Sequence, residues 1–435
     1  MDVLAPLIGF ALAILCVVGA VTAGRRRRLV QDVPTSKTTG VFIGFVELTG
    51  TAEAEQPLTS YLAQQPCVHH AWRVEEHWQR TVTETYKDKD GKTQTRTRTE
   101  SGWQTVASGG DLTTFYLRDD CGVIRIVPTG AKLEPQRIFD RACETLDPLY
   151  FAKGPADSIA NSTGRRRFTE DAIPLHAPIF VLGQTRERAD VVAPEIAHDE
   201  HAEIFLISTR NEKQVSRRFA LTFGGLGILG LVLTLAGLAI GDQITEPPRN
   251  PRPLWYALAG TGYGVVWLAG WVIMTFNSLI ALRQRVTQAW ANVDVQLKRR
   301  ADLIPNLVLA VSALRDHEHE TQTAVAEWRS QLAATAPGQA GPDASAITPQ
   351  LFALAERYPE LTADRSFSHL QDTLVETEQR IALARAYFNA IATFYNTRLQ
   401  VVPDRFLAAL GGLQPRALMA ANDFERAAVQ VNLAT

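Results

Sequence analysis

Three stretches of the chain are almost purely apolar: Val3 to Ala23, Phe219 to Ile240 and Trp255 to Thr275. Each is close to the roughly 20 residues that an α-helix needs to cross a bilayer, and none contains Asp, Glu, Lys, Arg or His. From about residue 40 to residue 210 the pattern changes to short apolar alternations, threonine-rich runs and frequent turns, which predicts a β-rich region. After the third stretch, apolar positions recur every three or four residues. Leu279, Leu282, Val286, Ala289, Val293 and Leu297 make one stripe, and Leu370, Leu374, Ile381, Ala384, Phe388, Ile391 and Tyr395 make another. Long helices joined by short turns bury such stripes against one another in an antiparallel bundle. The expected fold class is a multi-domain membrane protein with three transmembrane helices, a β-rich α+β domain and an all-α helical bundle. Its segments are an anchor at 1–24, the β-rich domain at 40–215, transmembrane helices at 219–240 and 255–275, and the bundle at 276–435.

Finer expectations follow from turn and breaker residues. Trp78 to Trp103 reads as a hairpin turning at Asp90 and Gly91, and Thr113–Leu117 with Val123–Val127 as a second strand pair around Asp120, Cys121 and Gly122. Pro135 to Leu146 reads as one helix. The third apolar helix continues into the first stripe without a hinge, and Asp302 with Pro305 predicts a break or kink between Arg300 and Pro305. A further helical run carries Leu307, Val311, Leu314 and Trp328, the stretch from Ala333 to Ser345 is a linker by composition, and helices are expected at Pro349–Arg357 and Ser366–Gln400.

Charge then orients the apolar helices. Arg25, Arg26, Arg27 and Arg28 follow the first, Arg217 and Arg218 precede the second, and Arg283 and Arg285 follow the third. By the positive-inside rule both large segments lie in the cytoplasm and the amino terminus outside, a multi-pass protein of a bacterial inner membrane. The first stretch lacks the leading positive charge of a cleavable signal and reads as an uncleaved anchor. The formal net charge of −2 over 435 residues predicts no bulk attraction to nucleic acid. The spacings Gly237/Gly241 and Gly260/Gly264 allow close helix approach, or reflect only how common glycine is in membrane helices.

Two family resemblances can be read from particular segments. WANVDVQLKRRADLIPNLV from Trp290 to Val308, YP at Tyr358 and Pro359, and FSHLQDTLVETEQRIALARAYFNAIATFYN from Phe367 to Asn396 resemble the LemA family over about residues 276 to 435. PLTSYLAQQPCVHHAWRVEE from Pro57, FYLRDDCGVIRIVPTGAKLE from Phe115 and EIFLISTRNE from Glu203 resemble the GIDE domain of MUL-type mitochondrial ubiquitin ligases over about residues 40 to 215. The first resemblance implies a helical bundle, and the second a domain lying between two membrane spans. In the GIDE-bearing ligases the transfer chemistry belongs to a RING module, whose zinc ligands come in close Cys and His pairs. Here the four cysteines are Cys16, Cys67, Cys121 and Cys143, with no CxxC, so a RING cannot be assembled.

Other chemistry is sparse. His69, His70 and His77 near Cys67 read as packing or surface residues, since His69 and His77 share a strand parity that His70 opposes. HDEH at His198–His201 reads as a loop and RDHEHE at Arg315–Glu320 as a solvated helix face. Arg165 to Arg167 read either as an anionic-surface contact or as a solvated loop. No catalytic residue, metal or cofactor is expected. The candidate interaction or structural network is Asp294, Gln296, Lys298, Arg299, Arg300, Asp302 and Asn306, with Tyr387, Asn389, Tyr395 and Asn396 on the long helix. It is read either as a binding surface or as hydrogen bonds that fix register. The function expected is a non-catalytic scaffold or adaptor that recruits unknown protein partners or forms a homo-oligomer at the bilayer, in envelope maintenance or stress response. The alternative is a ubiquitin-ligase-like component that needs a separate transferase chain.

Overall fold

A computed structural model describes residues 4–87, 93–188, 190, 193–200, 202, 204–245, 253–314 and 365–419. Contacts divide the chain into two compact units: Thr35–Val215, and a second made of Met1–Pro34 with Ser216–Thr435.

In the first unit the period-two alternation becomes a closed β-structure. β1 (Thr35–Ser36), β2 (Phe45–Glu53), β3 (Leu58–Thr59), β4 (Pro66–Lys87), β5 (Thr93–Leu112), β6 (Phe115–Arg118) and β7 (Val123–Ile126) come first. β8 (Lys132–Glu134), β9 (Gln136–Glu144), β10 (Ser162–Pro174), β11 (Pro178–Glu187), β12 (Pro194–Ala197) and β13 (Leu206–Ser208) follow. β2 pairs with β6, β6 with β7, β7 with β12, β12 with β11, and β11 again with β2, so these strands close into a small barrel. Its inward positions, among them Val46, Leu48, Phe115, Leu117, Ile126, Val181 and Ile196, are fully buried. The second strand pair is found at the expected place. A second sheet joins β4 to β10 on one side and to β3 and β5 on the other, with β9 outside β10. The expected hairpin is there and longer than expected, β4 and β5 running in register from His69↔Leu112 to Lys87↔Thr93; the turn at Asp90 and Gly91 lies outside the described residues.

Two expectations are corrected in this unit. Pro135 to Leu146 is not a helix, because residues 136–144 form β9 at the edge of the second sheet. Arg137 reaches Asp171 at 2.6 Å and Asp140 accepts from Arg167 at 2.7 Å across the β9/β10 pair, while Cys143 points inward beside Phe168 and Tyr150. Those cross-strand pairs and that burial outweigh local helix propensity. The helix that follows in sequence is the short α2 (Pro148–Ala152), capped by the Asp147 side chain on the Leu149 N–H. Arg165 to Arg167 are likewise no solvated loop, since they lie within β10, where Gly164 takes φ +72° at a register shift between Ser162 and Arg166. Beyond that irregularity Arg166, Phe168 and Glu170 share the buried face.

In the second unit the apolar stretches lie in α1 (Leu4–Gln31), α3 (Glu212–Ile244) and α4 (Pro253–Leu314), all long and apolar enough to cross a membrane. Gly9 meets Gly237, and Gly24 lies against Phe223, so α1 and α3 run antiparallel; Gly24 and Gly270 contact Met274 and Val21, so α1 and α4 run parallel. At the Gly9/Gly237 crossing a Cβ on Gly9 would lie 3.0 Å from the Gly237 Cα and 2.8 Å from the Leu233 carbonyl oxygen, so glycine is required there. Gly237 thus serves a close approach to α1; Gly264, by contrast, faces open space. The outward faces carry Leu15 at 66%, Ile228 at 68% and Val265 at 61% exposure, the surface of helices that need an apolar surround.

α4 then pairs with α5 (Arg365–Gln400), and the two predicted stripes face each other: Leu279, Leu282, Val286, Ala289 and Val293 against Leu374, Ile381, Ala384, Phe388, Ile391 and Tyr395, all buried. The contacts Ser278 to Arg398, Trp290 to Phe388 and Arg300 to Glu378 fix an antiparallel register. The expected break between Arg300 and Pro305 is absent, because α4 continues unbroken to Leu314. Pro305 has a helical φ, and its cost, one lost N–H and crowding at the carbonyl four residues before it, does not end the helix. The linker at 333–345 and the helix expected at 349–357 lie outside the described residues.

Candidate functional site

The antiparallel and parallel packing of α1, α3 and α4 brings their basic flanks to one end. Arg25 and Arg26 at the end of α1, Arg217 and Arg218 in the first turns of α3, and Arg283 beyond the apolar part of α4 are exposed there. Arg28 turns inward and donates from Nη2 to Thr275 Oγ1 at 3.0 Å, tying α1 to α4.

That contact belongs to a larger charged node. Arg28 Nη1 lies 3.2 Å from Asp404, the first residue of α6 (Asp404–Leu410). Arg398, near the end of α5, donates from Nε to Asp404 at 2.5 Å, from Nη1 to both Asp32 oxygens at 2.7 Å, and from Nη2 to Ser278 Oγ at 3.2 Å. Two guanidiniums and two carboxylates therefore join α1, α4, α5 and α6. Burial pushes the Asp32 carboxyl up to about 7, against the pull of Arg28 and Arg285. Burial also raises Asp404, with Arg28 opposing it. Such a node has the chemistry of a joint: paired, part-buried charges that specify one arrangement of the elements they link. Both of its carboxyl groups are engaged by guanidiniums.

The residues read from sequence as an interaction network are distributed otherwise. Asp294, Lys298, Arg299 and Asp302 are exposed on α4, and Gln296 is half-buried. Arg300 is buried and lies 3.5 Å from Glu378 on α5. Asn306 lies within α4, its side chain outside the described residues. Tyr387 and Tyr395 are buried in the α4/α5 seam. Asn389 and Asn396 have a shared task. Asn389 donates to the Met419 carbonyl at 3.0 Å and accepts from the Met419 N–H at 2.8 Å; Asn396 does the same with Arg416 at 2.7 and 2.8 Å. Seven helical residues rise about 10 Å, and three extended residues span about 10 Å. Two amides seven apart on α5 thus match two peptide units three apart, and they strap the chain after Gly412 along the helix.

Sequence reading named Arg28 only as an orienting charge and missed Asp32, Thr275, Ser278, Arg398 and Asp404. The available signal was the position of Asp32 directly behind four arginines and the apolar run; for Arg398 and Asp404 nothing local marked them. In the other unit, His69 Nδ1 donates to the Asp111 carbonyl at 3.0 Å, His70 lies 3.4 Å from Glu170, and His77 reaches Thr163 at 3.0 Å, so the three do not converge. Asp119, Asp120 and Cys121 come close enough to hold a metal ion, but Asp119 already accepts from Thr38 and from the Cys121 and Gly122 N–H groups, and Asp120 from Lys37. Cys16, Cys67 and Cys143 are buried and Cys121 is exposed.

Comparison with known proteins agrees with both resemblances. Residues 289–433 match the LemA family, and residues 83–241 match GIDE, a family described as E3 ubiquitin ligase. Magnetosome protein MamQ of Magnetospirillum gryphiswaldense is 24% identical over 205 residues, which cover 39% of this chain and 75% of that protein. Magnetosome proteins MamQ 1 and MamQ 2 of Paramagnetospirillum magneticum are similar to the same extent. The chain therefore carries a segment similar to LemA behind one similar to GIDE, together with three helices long and apolar enough to cross a membrane.

Proposed function

We propose that this chain is a non-catalytic membrane scaffold of the LemA type, which holds a β-rich domain and a helical bundle at the cytoplasmic face of a bacterial inner membrane for homo-oligomeric assembly or recruitment of protein partners. The observation that carries the reading is the convergence of the three basic helix flanks at one end, where α4 continues into the α4/α5 pair and Arg28, Asp32, Arg398 and Asp404 join it to α1. Cationic flanks are retained on the cytoplasmic side, which supports an outside amino terminus and three spans. The likeness to proteins named for the magnetosome supports a place at a membrane. The α4/α5 pair would be half of the expected bundle.

Extraction of the full chain in native lipid patches followed by mass measurement tests assembly. Copies of the chain or stoichiometric partners should be retained, and a lone monomer overturns the scaffold reading. Orientation is tested with one cysteine added at a time to a background in which Cys16, Cys67, Cys121 and Cys143 are replaced by Ser or Ala: with an impermeant maleimide on intact cells, Asn250→Cys should label and Leu146→Cys should not.

A second reading rests on the GIDE match at residues 83–241. In it the β-rich domain presents a substrate to a separate transferase. Stimulation of ubiquitin-like transfer by the purified chain, with a transferase added, would favour it over the scaffold.

A further inference from the structure

The charged node opens on a cavity of about 390 Å³, a size within the range of small-molecule sites. Arg27, Arg28 and Arg398 line it together with Phe223, Trp271 and Met274. The two halves of that lining differ in chemistry. Phe223, Trp271 and Met274 belong to the apolar stretches of α3 and α4, whereas the arginines belong to the charged ends of α1 and α5. The cavity therefore lies where apolar helix surface gives way to charge.

Its polar side is incomplete. Arg28 and Arg398 direct donors to Asp32, Asp404, Thr275 and Ser278, but the Nε of Arg27 is buried and finds no hydrogen-bond partner among the described residues. Arg27 also lines the cavity, so an anion seated there meets a third guanidinium. Three guanidiniums face two carboxyl groups, Asp32 and Asp404, which leaves the lining net positive. Burial raises both carboxyls, and this adds to that excess.

We propose that this cavity seats the phosphate of an anionic phospholipid, with Arg27 donating to a phosphate oxygen and the glycerol and first acyl carbons lying against Phe223, Trp271 and Met274. The apolar half of the lining separates this ligand from a free phosphate, which would leave that half uncovered. Basic pockets between membrane helices on the cytoplasmic side are suited to lipid headgroups. The inference rests on α1, α3 and α4 spanning a bilayer, but not on the scaffold role.

The test uses the full chain in a neutral detergent, with native mass spectrometry after addition of phosphatidylglycerol, phosphatidylcholine or inorganic phosphate. Phosphatidylglycerol should bind at least tenfold more tightly than phosphatidylcholine. Arg27→Gln should weaken it about tenfold, and Arg26→Gln, whose side chain is exposed and outside the cavity, should leave it unchanged. Thr397→Trp plugs the cavity from an exposed position on its rim; it should also abolish retention with the helical circular dichroism intact, so a folding defect of the Arg27 variant cannot mimic the result. Equal binding of the two lipids, or undiminished binding by Arg27→Gln and Thr397→Trp, overturns the proposal. So does displacement of phosphatidylglycerol by an equal concentration of inorganic phosphate, which would identify a site for soluble phosphate. The same spectra report the number of chains per particle, so failure of the scaffold reading is seen separately from failure of the lipid site.

Discussion

Both compact units bury arginine, and they do so to opposite ends. In the β-rich unit Arg166 and Glu76 are both 0% exposed. Arg166 directs Nε and Nη2 to Glu76, Nη1 to the Tyr150 and Pro155 carbonyls, and Nη2 also to that of Asp157, so all five of its N–H groups are satisfied. Its guanidinium also lies 3.9 Å over the Tyr150 ring, while Glu76 Oε1 accepts from Ser162 and Tyr150. Burial would raise the Glu76 carboxyl, but Ser162, Arg166 and Tyr150 together hold it below the usual range. In the helical unit Arg28 and Arg398 keep 16% and 17% of their side chains exposed beside a cavity that Arg27 also lines. A sealed, fully satisfied pair fixes a fold. A part-open cluster with an excess of positive charge beside a cavity has room for another molecule.

That contrast is broken most severely at Arg166. Replacing it with Met strands Glu76 in the interior, and removing one partner of a buried pair costs about 3–5 kcal/mol. Chemical denaturation should show early loss of the β-rich unit, and a change below about 1 kcal/mol would refute the account of Arg166 as a closed structural pair.

The helical node should yield less, because its charges keep some access to water. Arg398→Ala is expected to loosen α5 and α6 from the end of α1 at a cost of about 2–3 kcal/mol. Limited proteolysis should then cut near residues 400–404 faster, with the apolar helices unaffected. Arg398→Lys should not restore protection, since an ammonium cannot reproduce the several directed contacts to Asp32, Asp404 and Ser278.

Smaller again is the strap on α5. Asn389→Ala and Asn396→Ala each remove two hydrogen bonds to backbone, worth about 1–2 kcal/mol together. Hydrogen exchange at Arg416 and Met419 should accelerate in the matching variant alone. Simultaneous loss at both sites from either substitution would mean that the strap detaches as a unit.

A further test uses pH instead of a change in the node or the strap. Glu47 is buried on β2, accepts from Thr35 at 2.7 Å, and burial together with the nearby Glu212 pushes its carboxyl up to about 8, against the Thr35 hydrogen bond. Between about 4.5 and 8 the folded unit therefore holds a proton that the unfolded chain has released. Stability of this unit should fall as pH rises through that window, by at most about 1.4 kcal/mol per pH unit, and level off above it. Glu47→Gln should flatten the dependence; an unchanged slope would assign it to another group.

Much of this architecture could be read from the order of residues alone. The three charge-free apolar runs, the threonine-rich hairpin and the stripes from Leu279 to Val293 and from Leu374 to Tyr395 are local periodicities, and a period of two or of about 3.6 acts through near neighbours whatever the rest of the chain does. What required the tertiary structure is the matching of distant residues. Residues 136–144 became a strand because Arg167 and Asp171 on β10 stand opposite them, and Arg166 went inward because Glu76, Tyr150 and the carbonyls of Pro155 and Asp157 await it. The node was illegible for the same reason. Asp32 and Arg398 are 366 residues apart, and only the folding of α5 back along α4 makes them neighbours. Side-chain period is written along the chain; the identity of each charge's partner is decided by which helices and strands pack together.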